Sequence, residues 1–206
     1  IIMSKNFFEI KDVTFAIGGK NKVNDVNISI KNEGDTICIL GPSGIGKTTM
    51  LRTIAGLEKI NKGEIILKDK IISSDKIHIE PEKRNIALSF QENSLFPHYS
   101  IDKNIHLGVK KNSQISKNID SKDIIKILNI EDILSKYPHQ ISAGEAQRAS
   151  LARSLISQPD LLLLDEPLSN VDQSFKEDIQ VALKQLLNKN KISTIVVTHD
   201  SYEAFY

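Results

Sequence analysis

Cysteine is nearly missing from this chain of 206 residues: Cys38 stands alone. No intramolecular disulfide can form, which suits a reducing compartment. Cys38 itself, inside the apolar run "TICIL", is expected as a small core residue. A dominant charge is missing too, since the formal net charge is +1. No long-range field therefore draws the surface to nucleic acid or anionic lipid, and no nucleic-acid partner is expected. No apolar stretch approaches the roughly 20 residues that span a bilayer, and no signal-like segment is seen. Any work at a membrane must pass through a partner. Internal repeats and low-complexity tracts are absent as well.

What is present suits a soluble globular fold, with 40% hydrophobic and 26% charged residues. The length allows one sizeable domain, or one domain with a small inserted subdomain. The chain starts Ile1-Ile2 ahead of Met3 and stops at "THDSYEAFY" inside an apparent helix. These ends leave open that it is a piece of a longer chain.

The first part reads as strands. "FFEIKDVTFAI" and "VNDVNISI" alternate apolar and polar residues around the turn "GGKN". "TICIL" is wholly apolar, as expected in the middle of a sheet. "KTTMLRTIAGL" then reads as a helix ending near Gly56, followed by strands at "GEIILKD" and "NIALSF". Residues 94–137 show helical spacing in "SIDKNIHLGVKK" and "SKDIIKILNIEDILSK", joined by the polar "NSQISKNID". No strand is evident there, so the segment reads as a helical insert, about 94–157 with the helix "AGEAQRASLARSLI". The strand "LLLL", the helix "FKEDIQVALKQLLNK" and the strand "STIVVT" follow. Strands alternating with helices predict an α/β fold with parallel core strands.

"GPSGIGKT" fits G-x-x-x-x-G-K-[ST] without a mismatch, between a predicted strand and a predicted helix. Gly41, Pro42, Ser43, Gly44, Ile45, Gly46, Lys47, Thr48 and Thr49 are therefore the candidate phosphate cradle. Glycines let successive N–H groups turn inward, and the helix N-terminus adds partial positive charge. Lys47 can reach the β- and γ-phosphates, and the Thr48 hydroxyl can ligate Mg²⁺. In "LLLLDEP" two carboxylates emerge at the end of a buried strand. Asp165 suits the Mg²⁺ shell, and Glu166 is placed to polarise an attacking water. Alone, such a pair is more often a helix cap; beside a phosphate loop it reads as catalytic. "ISAGEAQR" opens a second helix on Ser142, and by itself reads as an ordinary Ser-capped core helix.

The ordered set of phosphate loop, Gln91, "ISAGEAQR", "LLLLDEP", "SNVD" and "THD" resembles the ATP-binding subunits of ABC transporters over nearly the whole chain. The resemblance implies a P-loop NTPase core, a mixed sheet with parallel core strands and flanking helices, carrying an inserted α-helical subdomain. It implies ATP and Mg²⁺ as cofactors and a head-to-tail dimer, either a homodimer or a pair of paralogues. In that family a Ser-Gly-Gly-Gln motif binds the γ-phosphate of the other subunit's ATP, which assigns Ser142, Ala143, Gly144 and Glu145 to the partner's nucleotide. Gln91 corresponds to the glutamine that contacts Mg²⁺ and links the site to the insert. Asp172 corresponds to the aspartate that crosses the dimer interface, and His199 to the switch histidine at the γ-phosphate. Ala143 replaces the first signature glycine, and Glu145 stands where Gln is commoner. The position where an aromatic usually stacks on adenine falls at Ile17. Phe15, two residues earlier, is expected on the same strand face. The family's last strands and helix are not in the sequence.

"FQENSLFPHYSIDKNI", "IEPEKRNIA" and "YPHQIS" look like the ATPases of binding-protein-dependent importers for ferric iron, polyamines, sulfate, molybdate or sugars. Their wording favours ferric iron or polyamine. Membrane permease subunits are then the direct partners, docking near Leu95, Phe96 and Tyr99, and a solute-binding protein acts indirectly. The implied place is the cytoplasmic face of the inner membrane. Competing readings are an ABC ATPase for lipoprotein release or cell division, a soluble ABC protein acting on ribosomes or DNA, and a catalytically dead cassette. Soluble types usually carry paired cassettes or a long coiled-coil insert, neither of which is seen. Intact Lys47, Asp165, Glu166 and His199 argue against the dead cassette.

Overall fold

The alternating N-terminal segments form an antiparallel pair, β1 (Phe8–Ile17) and β2 (Asn21–Ile30). The structure, a computed structural model, describes residues 6–18, 21–90, 94–108 and 119–199. β4 (Lys62–Leu67) and β5 (Lys70–Ser73) complete a four-stranded sheet in the order β2-β1-β4-β5. β5 was not expected from the sequence. Its two-residue hairpin loop, Lys68 and Asp69, has φ of 49° and 63°, as a type I′ turn requires. Lys-Asp is not the usual Asn-Gly or Asp-Gly signal for that turn.

The second sheet is parallel, in the order β3-β8-β7-β6. It comprises β3 (Thr36–Leu40), β6 (Ile86–Ser89), β7 (Leu161–Asp165) and β8 (Ser193–Thr198). The two sheets together give the expected mixed α/β architecture. β7 is apolar from Leu161 to Leu164 because both its faces are covered. Leu161 and Leu163 enter the cluster formed with β1, β4 and helix α1 (Lys47–Ala55). Leu162 and Leu164 enter the cluster on the opposite face, with helices α4 (Ala143–Ile156) and α5 (Gln173–Lys189).

β3 corrects one expectation. Among the described residues it pairs only with β8 and lies at the edge of its sheet. Its side chains are half-buried, and Leu40 is 53% exposed. An apolar run reports cover on the two faces of a strand; it carries no information on whether both backbone edges are paired. Cys38 is accordingly half-buried, packed against the core instead of deep within it.

No strand falls among the described residues between 94 and 142. Two short helices, α2 (Ile101–Ile105) and α3 (Ser121–Ile127), precede α4. Ile101, Ile105, Ile124 and Leu128 join the same apolar cluster as Leu162, Leu164 and Val196. The helical segment therefore shares its core with one face of the parallel sheet. Fully buried Asn104 fastens the preceding loop, accepting from the Phe96 N–H and donating to the carbonyls of Phe96, Tyr99 and Ser100.

Candidate active site

Parallel pairing brings three chain segments to one level. Leu40 is opposite Thr198, and Asp165 is opposite Val197. The phosphate-loop candidate leaves β3 at this level, the two carboxylates leave β7, and His199 leaves β8. Ligands of open α/β sheets bind at such carboxyl ends.

The loop turns into α1 at Gly46, whose φ of 103° lies in the left-handed region. A Cβ there would also meet the Ile17 side chain at 2.4 Å. The backbone angle requires glycine, and the Ile17 side chain packs into the space its missing Cβ leaves. No side chain caps this helix N-terminus, and its first turn holds no acid. Its N–H groups and partial positive charge are left for an anion. The Lys47 ammonium donates to the carbonyls of Gly41 at 2.5 Å and Pro42 at 2.9 Å. A pocket of about 180 Å³ follows, lined by Ile17, Ser43, Gly44, Gly46, Lys47, Thr48, Thr49, Asp165 and Glu166.

Asp165 is 3% exposed. Burial raises its pKa, and neighbouring Glu166 adds to that rise; a hydrogen bond from Thr48 and the charge of Lys47 oppose it. A buried carboxylate beside a hydroxyl is a hard-oxygen donor set suited to Mg²⁺, which is usually held by one or two protein groups plus phosphate. Among the described residues no cluster of three or more His, Cys, Asp or Glu side chains could hold a metal by itself. Glu166 is also buried, at φ 47°, and its N–H donates to Val197 O at 2.8 Å. His199 Nδ1 lies 2.8 Å from Glu166 Oε1.

The α4 N-terminus is built differently. Ser142 Oγ accepts from the Glu145 N–H at 3.2 Å, and the Glu145 carboxylate accepts from the Ser142 N–H at 2.7 Å. This reciprocal capping box holds Glu145 below the usual carboxylate pKa, chiefly through the backbone bond from Ser142. The end of α1 is open, whereas the end of α4 carries its own carboxylate.

The sequence pattern that defines the ABC transporter family matches residues 23–169. The chain belongs to the ABC transporter family. It is 37% identical over 205 residues to the Fe(3+) ions import ATP-binding protein FbpC of Escherichia coli O157:H7, covering 98% of this chain and 57% of that one. It is 36% identical over 205 residues to the spermidine/putrescine import ATP-binding protein PotA of Haemophilus influenzae, covering 98% and 54%. The chain thus spans little more than half the length of these relatives. Its fold matches the dimeric ATP-binding cassette MJ0796, solved in a post-hydrolysis state bound to ADP and Pi. The TM-score is 0.80 at 28% identity, covering 96% of this chain and 90% of that one.

In this ABC transporter chain the structure brings Lys47, Thr48, Asp165, Glu166 and His199 together. Ile45 is 57% exposed at the tip of the loop. Gln91 lies outside the described residues. Asp172 is the exposed N-cap of α5. Ile17 lines the pocket, whereas Phe15 is 2% exposed in the core. Pairing with β2 is regular from Phe15 to Ile17, and both side chains pack on the same apolar cluster, Phe15 within it and Ile17 at its border. Gly144 has a role beside the one expected. A Cβ there would lie 2.6 Å from the Asn170 carbonyl oxygen, so glycine lets α4 sit against the segment after Glu166.

Two residues escaped the sequence reading. Arg84 is 3% exposed and donates to the carbonyls of Thr53 and Ile54 at the end of α1, with further bonds to Ile79 O and Ser73 Oγ. Its positive charge suits that end of the helix, while burial lowers its pKa to about 10. It anchors the helix that carries the phosphate loop. Gln147 is the other. No local sequence pattern marks either side chain as a buried polar strut.

Proposed function

We propose that this chain is the ATP-binding and ATP-hydrolysing subunit of an ABC importer, working as a head-to-tail dimer under membrane permease subunits. The observation that carries the reading is the uncapped α1 N-terminus facing buried Asp165 and Glu166 across one pocket. The phosphates of ATP lie against the N–H groups of residues 43–49, and Lys47 exchanges the carbonyls of Gly41 and Pro42 for phosphate oxygens. Thr48, Asp165 and Gln91 would hold Mg²⁺, which would supply positive charge to the phosphates. Glu166 orients and polarises the attacking water, and His199 steadies Glu166 and contacts the γ-phosphate. The contribution is positioning and charge stabilisation, as in phosphoryl transfer generally.

The second anion site, at Ser142 to Glu145, serves the ATP of the opposite subunit, with Asp172 at the shared interface. Support comes from the dimeric state of the MJ0796 cassette. The relatives' import of ferric iron and of polyamines supports one of these as the solute. No helix among the described residues is long and apolar enough to cross a membrane. Attachment through the permease, at the cytoplasmic face, belongs to the same proposal and is supported by the import ATP-binding relatives. The permease docks on the groove beside Phe96, lined by Leu88, Phe90, Leu107, Gly108 and Arg153. Leu95 packs against the core, and Tyr99 supports Phe96 from the side.

A mixing experiment tests the composite site. Lys47→Ala and Ser142→Arg, each in a Glu166→Gln background, should occlude no ATP as homodimers. Their mixture should occlude about one ATP per mixed dimer, because closure is linked to nucleotide by mass action. Stoichiometric occlusion by the Ser142→Arg protein alone would overturn the reading.

A further inference from the structure

Gln147 sits on α4 one turn from Ser142, yet its side chain turns inward and is 2% exposed. Its amide nitrogen donates to the backbone carbonyl of Glu166 at 2.9 Å and to Ser169 Oγ at 3.1 Å. Its amide oxygen accepts from the Asn170 N–H at 2.9 Å. One side chain thus holds both ends of the turn that follows β7. That turn is unusual, because Glu166 adopts φ 47° without being glycine. Such a conformation persists only where its surroundings over-determine it. The Glu166 N–H is already held by Val197 O, and Gln147 holds the carbonyl on the other side. The helix cannot drift from this turn, since the Asn170 carbonyl oxygen fills the space a Cβ on Gly144 would take.

We propose that Gln147 is a positioning residue for hydrolysis. By fixing the backbone on which Glu166 stands, it sets where the Glu166 carboxylate points, and it does so from the helix whose first turn faces the other subunit's nucleotide. The proposal rests on Glu166 being the residue that polarises water. A misplacement of about 1 Å at such a group costs on the order of 100-fold in rate, so the backbone clamp has a large lever.

The test is a double-mutant cycle on the full chain. Gln147→Met keeps the length of the side chain and removes all three bonds. Gln147→Glu keeps the acceptor for the Asn170 N–H and loses donation to the Glu166 carbonyl. Each should lower kcat at least ~10-fold, with KM and the number of ATP molecules bound per chain unchanged. A merely structural role would instead reduce the ATP-binding fraction. Combined with Glu166→Gln in single-turnover measurements, either change should add less than a further ~2-fold loss, because residues acting as a unit are not additive. If the Met variant binds ATP below stoichiometry, the Glu variant is read in the same cycle. Near-wild-type kcat in a fully ATP-binding variant would overturn the proposal, as would losses that multiply in the double mutant. Failure of the underlying assignment shows differently: Glu166→Gln alone would keep full turnover.

Discussion

His199 Nδ1 and Glu166 Oε1 are 2.8 Å apart, although 33 residues separate them in the chain. His199 leaves the end of β8 and Glu166 the end of the neighbouring strand β7. The imidazole is 57% exposed on its side chain and the carboxylate 10%. The contact therefore joins a buried acid to a group that reaches into solvent above the phosphate loop. Glu166→Gln should retain ATP and hydrolyse it at least ~100-fold more slowly, given typical general-base contributions. His199→Ala should also slow turnover without weakening nucleotide binding. Fluorescent-nucleotide titration and phosphate release check both. Full turnover in Glu166→Gln would remove the residue from its role.

Gly144→Ala tests the close approach of α4 to the turn after Glu166. Helix propensity alone favours alanine by about 1 kcal/mol. The added methyl would lie 2.6 Å from a backbone oxygen, which cannot swing aside as a side-chain tip can. Overpacking of this kind costs about 1–3 kcal/mol, so the net effect should be destabilising. Equilibrium urea unfolding reads it. A stabilised variant would show that helix and turn separate easily.

The capping box should be pH-dependent. Glu145 has a folded-state pKa below its ordinary value of 4.5, first because of the backbone bond from Ser142. Its stabilising effect is thus complete above that value and fades as pH falls through the lower folded-state pKa. Glu145→Ala should lose about 0.3–1 kcal/mol near neutral pH, at the lower end in salt because the carboxylate lies at the surface, and wild type and variant should converge in acid. Thermal unfolding across pH 7 to 3 measures it. A gap that stayed constant into acid would assign the stabilisation to something other than the carboxylate.

Phe96 is 46% exposed, with the Arg153 guanidinium 5.9 Å from its ring centroid. Arg153 is fixed from below by the Ser94 carbonyl at 3.0 Å and the Ser94 hydroxyl at 2.5 Å. Phe96→Asp removes the apolar wall of this groove and leaves the core intact. It should abolish co-purification with the permease while shifting unfolding by less than about 0.5 kcal/mol, as surface changes usually do. Wild-type recovery of the complex would move the docking site elsewhere.

Much of the active site is legible because its parts are local. "GPSGIGKT" carries a loop and helix start within eight residues, "LLLLDE" carries a buried strand ending in two acids, and Ser142 with Glu145 writes a helix cap in four. Each depends on backbone angles and neighbours close in sequence, so residue type alone determined them. Parallel register is another matter. Only the pairing of β3, β8 and β7 sets Leu40, Thr198 and Asp165 at one level, and nothing within any single strand specifies its neighbour. The same holds for the edge position of β3, the burial of Phe15 and the Arg84 anchor under α1. It holds most for Gln147, whose partners lie 19 to 23 residues away. A polar side chain is costly to bury without partners, and its partners here exist only once helix and strand have packed. Sequence determined which chemistry the chain could carry; tertiary packing decided which polar groups would hold that chemistry in place.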